Sequence, residues 1–238
     1  MPREAIWTTI AETLRDEIAR GAYAAGDRLP TEAGLSARFG VNRHTVRRAL
    51  AGLAAEGVVR ARRGSGVYVT ARPTDYRLGR RVRFHRNVAE SGRTPSRRIT
   101  RLETLAATAA EADRLRLPDG AAVHVIEGLS LADGVPLAAF RSVFPADRFP
   151  GLLEAMAGQS SVTAALSACG LSDYTRQDTR LTAKLADAVL AHALHVAPGA
   201  PVLRSVAVNV DAAGVPVEYG TTWFAGERVT LTASPDQP

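Results

Sequence analysis

Phe39-Gly40-Val41-Asn42-Arg43-His44-Thr45-Val46-Arg47-Arg48-Ala49-Leu50 decides the front of this chain. Gly40 can close one helix by adopting a left-handed conformation, and Asn42 can cap the next. Val46, Leu50 and Leu53 then line one face of a helix over about 43–56, which Gly57 stops. Two short helices joined by so brief a connection form a helix–turn–helix. Upstream, Thr31 caps a short helix carrying Leu35 and Phe39, after a turn at Gly26-Asp27-Arg28-Leu29-Pro30. Before that turn, Ile6, Ile10, Leu14 and Ile18 recur every four residues with Trp7 and Ala11, an amphipathic helix over 4–20 that ends at Gly21. Downstream, residues 58–61 and 67–70 read as two strands around Arg62-Arg63-Gly64-Ser65-Gly66. Helix, helix–turn–helix and β-hairpin together make a winged helix over 1–72.

The charge of the 238-residue chain is unevenly spread. The formal net charge is +6, but residues 1–72 carry +5, residues 73–101 carry +7 and residues 102–238 carry −6. A basic front of this size expects a polyanion, with nucleic acid ahead of membrane. A coding bias toward Arg would explain why Lys184 is the only lysine, but not the asymmetry. One cysteine, Cys169, allows no internal disulfide, and no apolar run is long enough for a membrane helix. With no secretory pattern at the start, a cytoplasmic protein is expected.

The rear half reads as α+β. Residues 73–80, with Pro73 and Gly79, read as a linker before a domain over 81–238. A strand follows near 97–105, and Thr108 with Glu111 spells a capping box. Residues 115–121 resemble 194–200, an offset of 79; after the turns at Asp133-Gly134 and Gly214 the offset becomes 80, pairing Val135-Pro136 with Val215-Pro216 and Arg148 with Arg228. Two similar helix–hairpin units facing each other in one antiparallel sheet would leave a crevice for a ligand. Helices near 147–157 and 161–169 and a strand near 172–184 lie between the units.

In a helix–turn–helix the N-terminal residues of the second helix meet base edges in the major groove. Arg43 and Arg47 share a face and can fork to guanine, at about 1–3 kcal/mol of discrimination per good pair. Asn42, His44, Thr45 and Arg48 complete that helix end, and Arg28 and Thr31 stand where a phosphate contact is expected. Arg62, Arg63 and Gly64 form the wing tip, which can approach a groove.

Leu29-Pro30-Thr31-Glu32, Phe39 through Leu50, Glu56-Gly57 and Gly64 through Val69 resemble the GntR-family DNA-binding domain. The rear half resembles the UTRA effector domain of the HutC subfamily, whose fold is shared with chorismate lyase. That resemblance rests on Gly92 through Ser96, Leu131 through Pro136, Arg141 through Pro145, Phe149 through Leu152 and Pro216 through Gly220. Within the subfamily, Val82 through Ala89 and residues 215–230 look most like regulators of phosphonate metabolism (PhnF-type). The resemblance implies a homodimeric transcription regulator, a repressor rather than an activator, on a near-palindromic DNA operator. It also implies a small effector, a phosphonate or another phosphorus-containing metabolite, with a sugar phosphate or an amino-acid catabolite as the alternative. Related domains that take sugar phosphates carry arginines on the strand before the first hairpin turn, where this chain has Gly128 and Ser130.

Cations, hydroxyls and free amides suit such an anion. The candidates are Arg83, His85 and Arg86 just after the linker; Arg141, Ser142 and Thr222 from the repeat; Ser161 and Thr163 at a helix start; and Glu218 for an amino group. No metal or cofactor is expected: His192 and His195 read as a surface pair without a third ligand, and no nucleophile elbow or Walker motif occurs. A lyase-like enzyme tethered to DNA and an architectural DNA binder are the competing classes.

Overall fold

The computed structural model describes residues 6–23, 26–62, 64–70, 73–81, 83–157 and 161–233. They form two compact units, Met1–Arg72 and Pro73–Pro238.

The first unit is built on three helices, α1 (Ile6–Ala19), α2 (Glu32–Phe39) and α3 (Arg43–Ala55), followed by β1 (Val59–Arg62) and β2 (Gly66–Val69). The caps form where the side chains allow them. The Thr31 hydroxyl accepts from Gly34 N–H at 3.1 Å and Asn42 Oδ1 from Thr45 N–H at 2.9 Å, each satisfying a helix-start donor. Gly40 is left-handed at φ 64°, which lets the chain turn sharply from α2 into α3. Ile10, Leu14, Leu35, Val46, Leu50 and Leu53 meet in one core with Val59 and Val69 of the hairpin. Gly52 lets α1 approach α3: a Cβ there would lie 3.3 Å from the Trp7 ring.

The second unit centres on a six-stranded antiparallel sheet in the order β4-β5-β6-β9-β8-β7. Its strands are β4 (Pro95–Ala106), β5 (Ala122–Ala132), β6 (Val135–Pro145), β7 (Thr175–Leu185), β8 (Pro201–Val210) and β9 (Pro216–Ala225). Helices α5 (Ala109–Leu115) and α8 (Ala188–Leu194) cover one face, packing on Val123, Val125 and Val143 and on Ala139, Val202 and Ala225. The opposite face carries α4 (Phe84–Glu90), α6 (Leu152–Ala157) and α7 (Val162–Ala168), which bury Ile126, Ala138, Phe140, Phe144 and Phe224.

The sequence repeat is a spatial one. In the β6–β9 pairing Arg141 lies opposite Thr221, eighty positions away, so an approximate two-fold relates β4-α5-β5-β6 to β7-α8-β8-β9 about that pair. Arg228 Nη1 donates to Pro136 O at 2.7 Å, and its repeat partner Arg148 donates to Pro216 O at 3.5 Å. Each arginine thus ties its own unit to the hairpin turn of the other.

One expectation fails. Within residues 73–80, read as a linker, Thr74–Arg77 form β3, parallel to β10 (Val229–Thr232). Thr74 and Tyr76 point inward and are buried while Asp75 and Arg77 are exposed. A strand of four residues with two charges carries little apolar signal, and its partner lies about 155 residues away.

Candidate nucleic-acid interface and ligand pocket

In the first unit the expected recognition residues lie on one helix end. Asn42, Arg43, His44 and Arg47 are exposed at the start of α3, with Thr45 half-buried. Asn42 Oδ1 also accepts from the Thr45 hydroxyl at 2.9 Å, so these two side chains hold the cap itself. Arg47 is forked onto Glu32 of α2, Nε to Oε1 at 3.1 Å and Nη2 to Oε2 at 2.7 Å. The hydrogen bond from Arg47 holds the Glu32 carboxyl below its ordinary range. That fork uses one edge of the guanidinium and leaves the Nη1–Nη2 end to meet a base. Arg48 instead stacks over the Trp7 ring, 4.8 Å from its centroid, bracing α3 against α1.

The wing is joined by the turn before α2. Leu29 N–H donates to Val67 O at 2.8 Å, and Arg28 bridges to Tyr68. Gly66 sits at φ 115°, and a Cβ there would lie 2.7 Å from Arg28 Nε. The glycine therefore admits the Arg28 side chain across the hairpin. Gly64, at φ 74°, is open to solvent. Arg63 and the Arg62 side chain lie outside the described residues.

The second unit holds a cavity of about 330 Å³ on the helix face opposite α5 and α8. Its floor is the sheet: Ser130, Ala138, Phe140, Ser142, Ser205, Ala207, Asn209, Glu218, Gly220, Thr222 and Phe224. Its walls are Tyr76 of β3, residues 83–86 around the start of α4, the N-terminus of α7 and Tyr174. Eight of the nine expected effector residues line it: Arg83, His85, Arg86, Ser142, Ser161, Thr163, Glu218 and Thr222.

Arg141 does not. It lies on the other face of the sheet, where it pairs with Glu111 of α5 and, through Nε at 3.1 Å, with Glu127. The cause is strand alternation: Phe140 and Ser142 point into the pocket, so the residue between them points away. Burial opposes ionisation of Glu111, but hydrogen bonds from Thr108 and Arg141 prevail and hold its carboxyl below the usual range.

The sequence reading missed Arg97 and Arg176. These are repeat partners: Arg97 of β4 pairs with Ser130, and Arg176 of β7 with Asn209, which is Ser130 advanced by 79. Both reach the pocket from opposite edges of the sheet. The offset of 79 was readable and could have linked them, but among Arg97, Arg98 and Arg101 only register decides which points inward. At Gly128 a Cβ would lie 2.3 Å from the Arg98 carbonyl oxygen, so no side chain fits there. Arg97 supplies from the neighbouring strand the cation that β5 lacks.

Most pocket side chains are already positioned by others. Arg83 donates to Tyr174 O at 3.1 Å and lies over the Tyr174 ring at 3.9 Å. The Thr163 and Tyr174 hydroxyls are 2.9 Å apart, and Ser161 caps α7. Arg86 is at the rim, paired with Glu90 at 2.7 Å. Burial, aided by the nearby Arg97, lowers the His85 pKa and favours its neutral form. The lining carries Arg83, Arg86, Arg97 and Arg176 against one carboxylate, Glu218. Such a balance suits an anion. Among the described residues no cluster of three metal-ligating side chains occurs, and no helix is long and apolar enough to cross a membrane.

Two family models match the chain. Residues 7–69 match the gntR family of bacterial regulatory proteins, and residues 90–230 match the UTRA domain. An HTH-type transcriptional regulator of Rhizobium meliloti strain 1021 is 40% identical over 95% of this chain and 93% of its own length. The probable transcriptional regulator PhnF of Escherichia coli K12 is 31% identical over 94% of this chain and 92% of its own. The crystal structure of PhnF from Mycobacterium smegmatis superposes with a TM-score of 0.67 at 26% identity, covering 97% of this chain and 98% of that one.

Proposed function

Because the chain belongs to the gntR family of bacterial regulators and carries its UTRA domain, it is a transcriptional regulator, and we propose that it is a repressor released from its operator by a phosphorus-containing anion, a phosphonate foremost. One observation carries the effector reading: a single pocket gathers four arginines against one carboxylate, and two of its walls, β3 and α4, are the first elements after residue 72. An anion bound there engages the segment through which the DNA-reading unit is attached. The relatives named PhnF support the phosphonate class.

In this reading Arg43, His44 and Arg47 address base edges. Thr31, Asn42, Thr45 and Arg28 hold phosphates or the elements that reach them, and Arg62, Arg63 and Gly64 follow the adjacent groove. Two copies bind the two halves of a near-palindromic site. Effector binding changes the spacing or mobility of the paired reading units, so both half-sites are no longer held at once and affinity falls.

The test is a duplex selected from a random pool by the full-length chain, titrated by fluorescence anisotropy with and without phosphonates. Sequence-selective binding that a phosphonate weakens is expected. Selective binding indifferent to every phosphorus anion tried would refute the effector half, and binding without sequence preference would refute the operator half.

A further inference from the structure

Arg97 and Glu218 are opposite charges in one cavity that do not meet. The Arg97 guanidinium lies 4.7 Å from the Phe140 ring centroid and 5.4 Å from that of Phe84. Its Nε is buried without a partner, and the side chain makes no hydrogen bond or ion pair among the described residues. Glu218 is held elsewhere: Asn209 Nδ2 donates to its Oε2 at 2.6 Å. Asn209 also stands between Glu218 and Arg176, whose Nε is 3.5 Å from Asn209 Oδ1. The other carboxylate oxygen, Oε1, overhangs Gly220, 3.4 Å from where a Cβ would be, with Ser142 Oγ 4.0 Å from the same point. The missing side chain at Gly220 keeps the floor open beside both groups.

Opposite charges attract more strongly in a cavity screened from water, so an Arg and a Glu free to meet there would close into a pair. Here two aromatic rings hold one and an amide holds the other. Arg97 is half-buried, and its buried Nε has no hydrogen-bond partner, so part of its desolvation is uncompensated and a ligand oxyanion that pairs it recovers that cost. Glu218 occupies the repeat position of Ala138, so the sheet forms at that position without a carboxylate. We infer that the effector is a small zwitterion whose oxyanion sits on Arg97 and whose ammonium group sits on Glu218. This rests on the proposed effector role of the pocket and narrows its ligand to amino-bearing oxyanions.

Titration calorimetry on the full-length chain tests it with 2-aminoethylphosphonate and propylphosphonate, which share a skeleton and differ by ammonium against methyl. One charge-assisted hydrogen bond makes the amino compound bind about 10- to 100-fold tighter. Glu218→Gln brings that ratio to about one while propylphosphonate affinity is kept or improved, because only the ammonium needs the carboxylate. Arg97→Met weakens both ligands by about 30-fold or more, without removing any protein hydrogen bond and so without unfolding the chain. An equal affinity for the two phosphonates, or a preference that survives Glu218→Gln, overturns the zwitterion and leaves an anionic effector standing. Binding of neither compound overturns the zwitterion and the phosphonate effector together, and operator binding is scored separately.

Discussion

Replacing Arg47 by alanine separates base reading from phosphate holding. Arg47 is mostly exposed, and its fork onto Glu32 is a solvent-screened surface pair, so the fold survives its loss. If the free end of the guanidinium reads guanine, its removal costs about 1–3 kcal/mol per half-site on the cognate operator, or about 5- to 150-fold. On scrambled DNA the loss is one cation at most, which flattens the salt dependence by a slope of about 0.9. Anisotropy titrations of native and Arg47→Ala protein on both duplexes at three salt concentrations give all of these quantities. Glu32→Gln adds a second reading. It removes the charge that steers the fork, so the specific affinity falls by a smaller amount than for Arg47→Ala. The double variant then loses no more than Arg47→Ala alone, since Glu32 acts through Arg47. Equal losses on cognate and scrambled DNA would refute base reading and leave Arg47 as a phosphate contact.

Three further outcomes follow from the second unit. Arg141→Ala leaves effector affinity unchanged but lowers stability by about 1–3 kcal/mol, seen as a lower Tm, because it strips a partner from the buried Glu111; loss of ligand binding at unchanged Tm would put Arg141 back in the pocket. The Glu111 carboxyl is held below its unfolded value of about 4.3, so its stabilisation is complete above that pH and drains as the pH falls through the lower folded value. The Tm gap between native protein and Glu111→Gln should therefore close on acidification, and a gap constant from pH 7 to pH 3 would contradict this. Gly128→Ala places a methyl group against the Arg98 carbonyl and costs about 1–3 kcal/mol by overpacking, measured by urea unfolding; a neutral effect would mean that β4 and β5 separate freely there.

Much of this molecule is written locally. The caps at Thr31, Asn42 and Thr108, the left-handed Gly40 and the four-residue apolar spacing of α1 depend on neighbours a few positions away, so the winged helix and most elements are legible in order. The repeat was legible too, because Arg148 and Arg228 and the two hairpin turns recur at a fixed offset. From it follow two units in one sheet and a pocket across their junction. Most polar residues of that pocket were legible as well: Ser142 and Thr222 from the repeat, Ser161 and Thr163 from a helix start, and Arg83, His85 and Arg86 from their place just after residue 80.

What the chain alone did not fix was which face a strand residue shows. Arg97, Arg98 and Arg101 look alike in sequence, and Arg141 stands between two pocket residues; a shift of one position, or the bulge between Ile99 and Arg101, moves a side chain across the sheet. Tertiary pairing therefore brought Arg97 inside and sent Arg141 to Glu111, and it turned the polar stretch 74–77 into a strand by supplying β10 from the far end of the chain. The sequence by itself determined the local elements and the chemistry available, because caps and periodicity act over a few residues. Only the long-range register of the sheet decided which charges share the cavity.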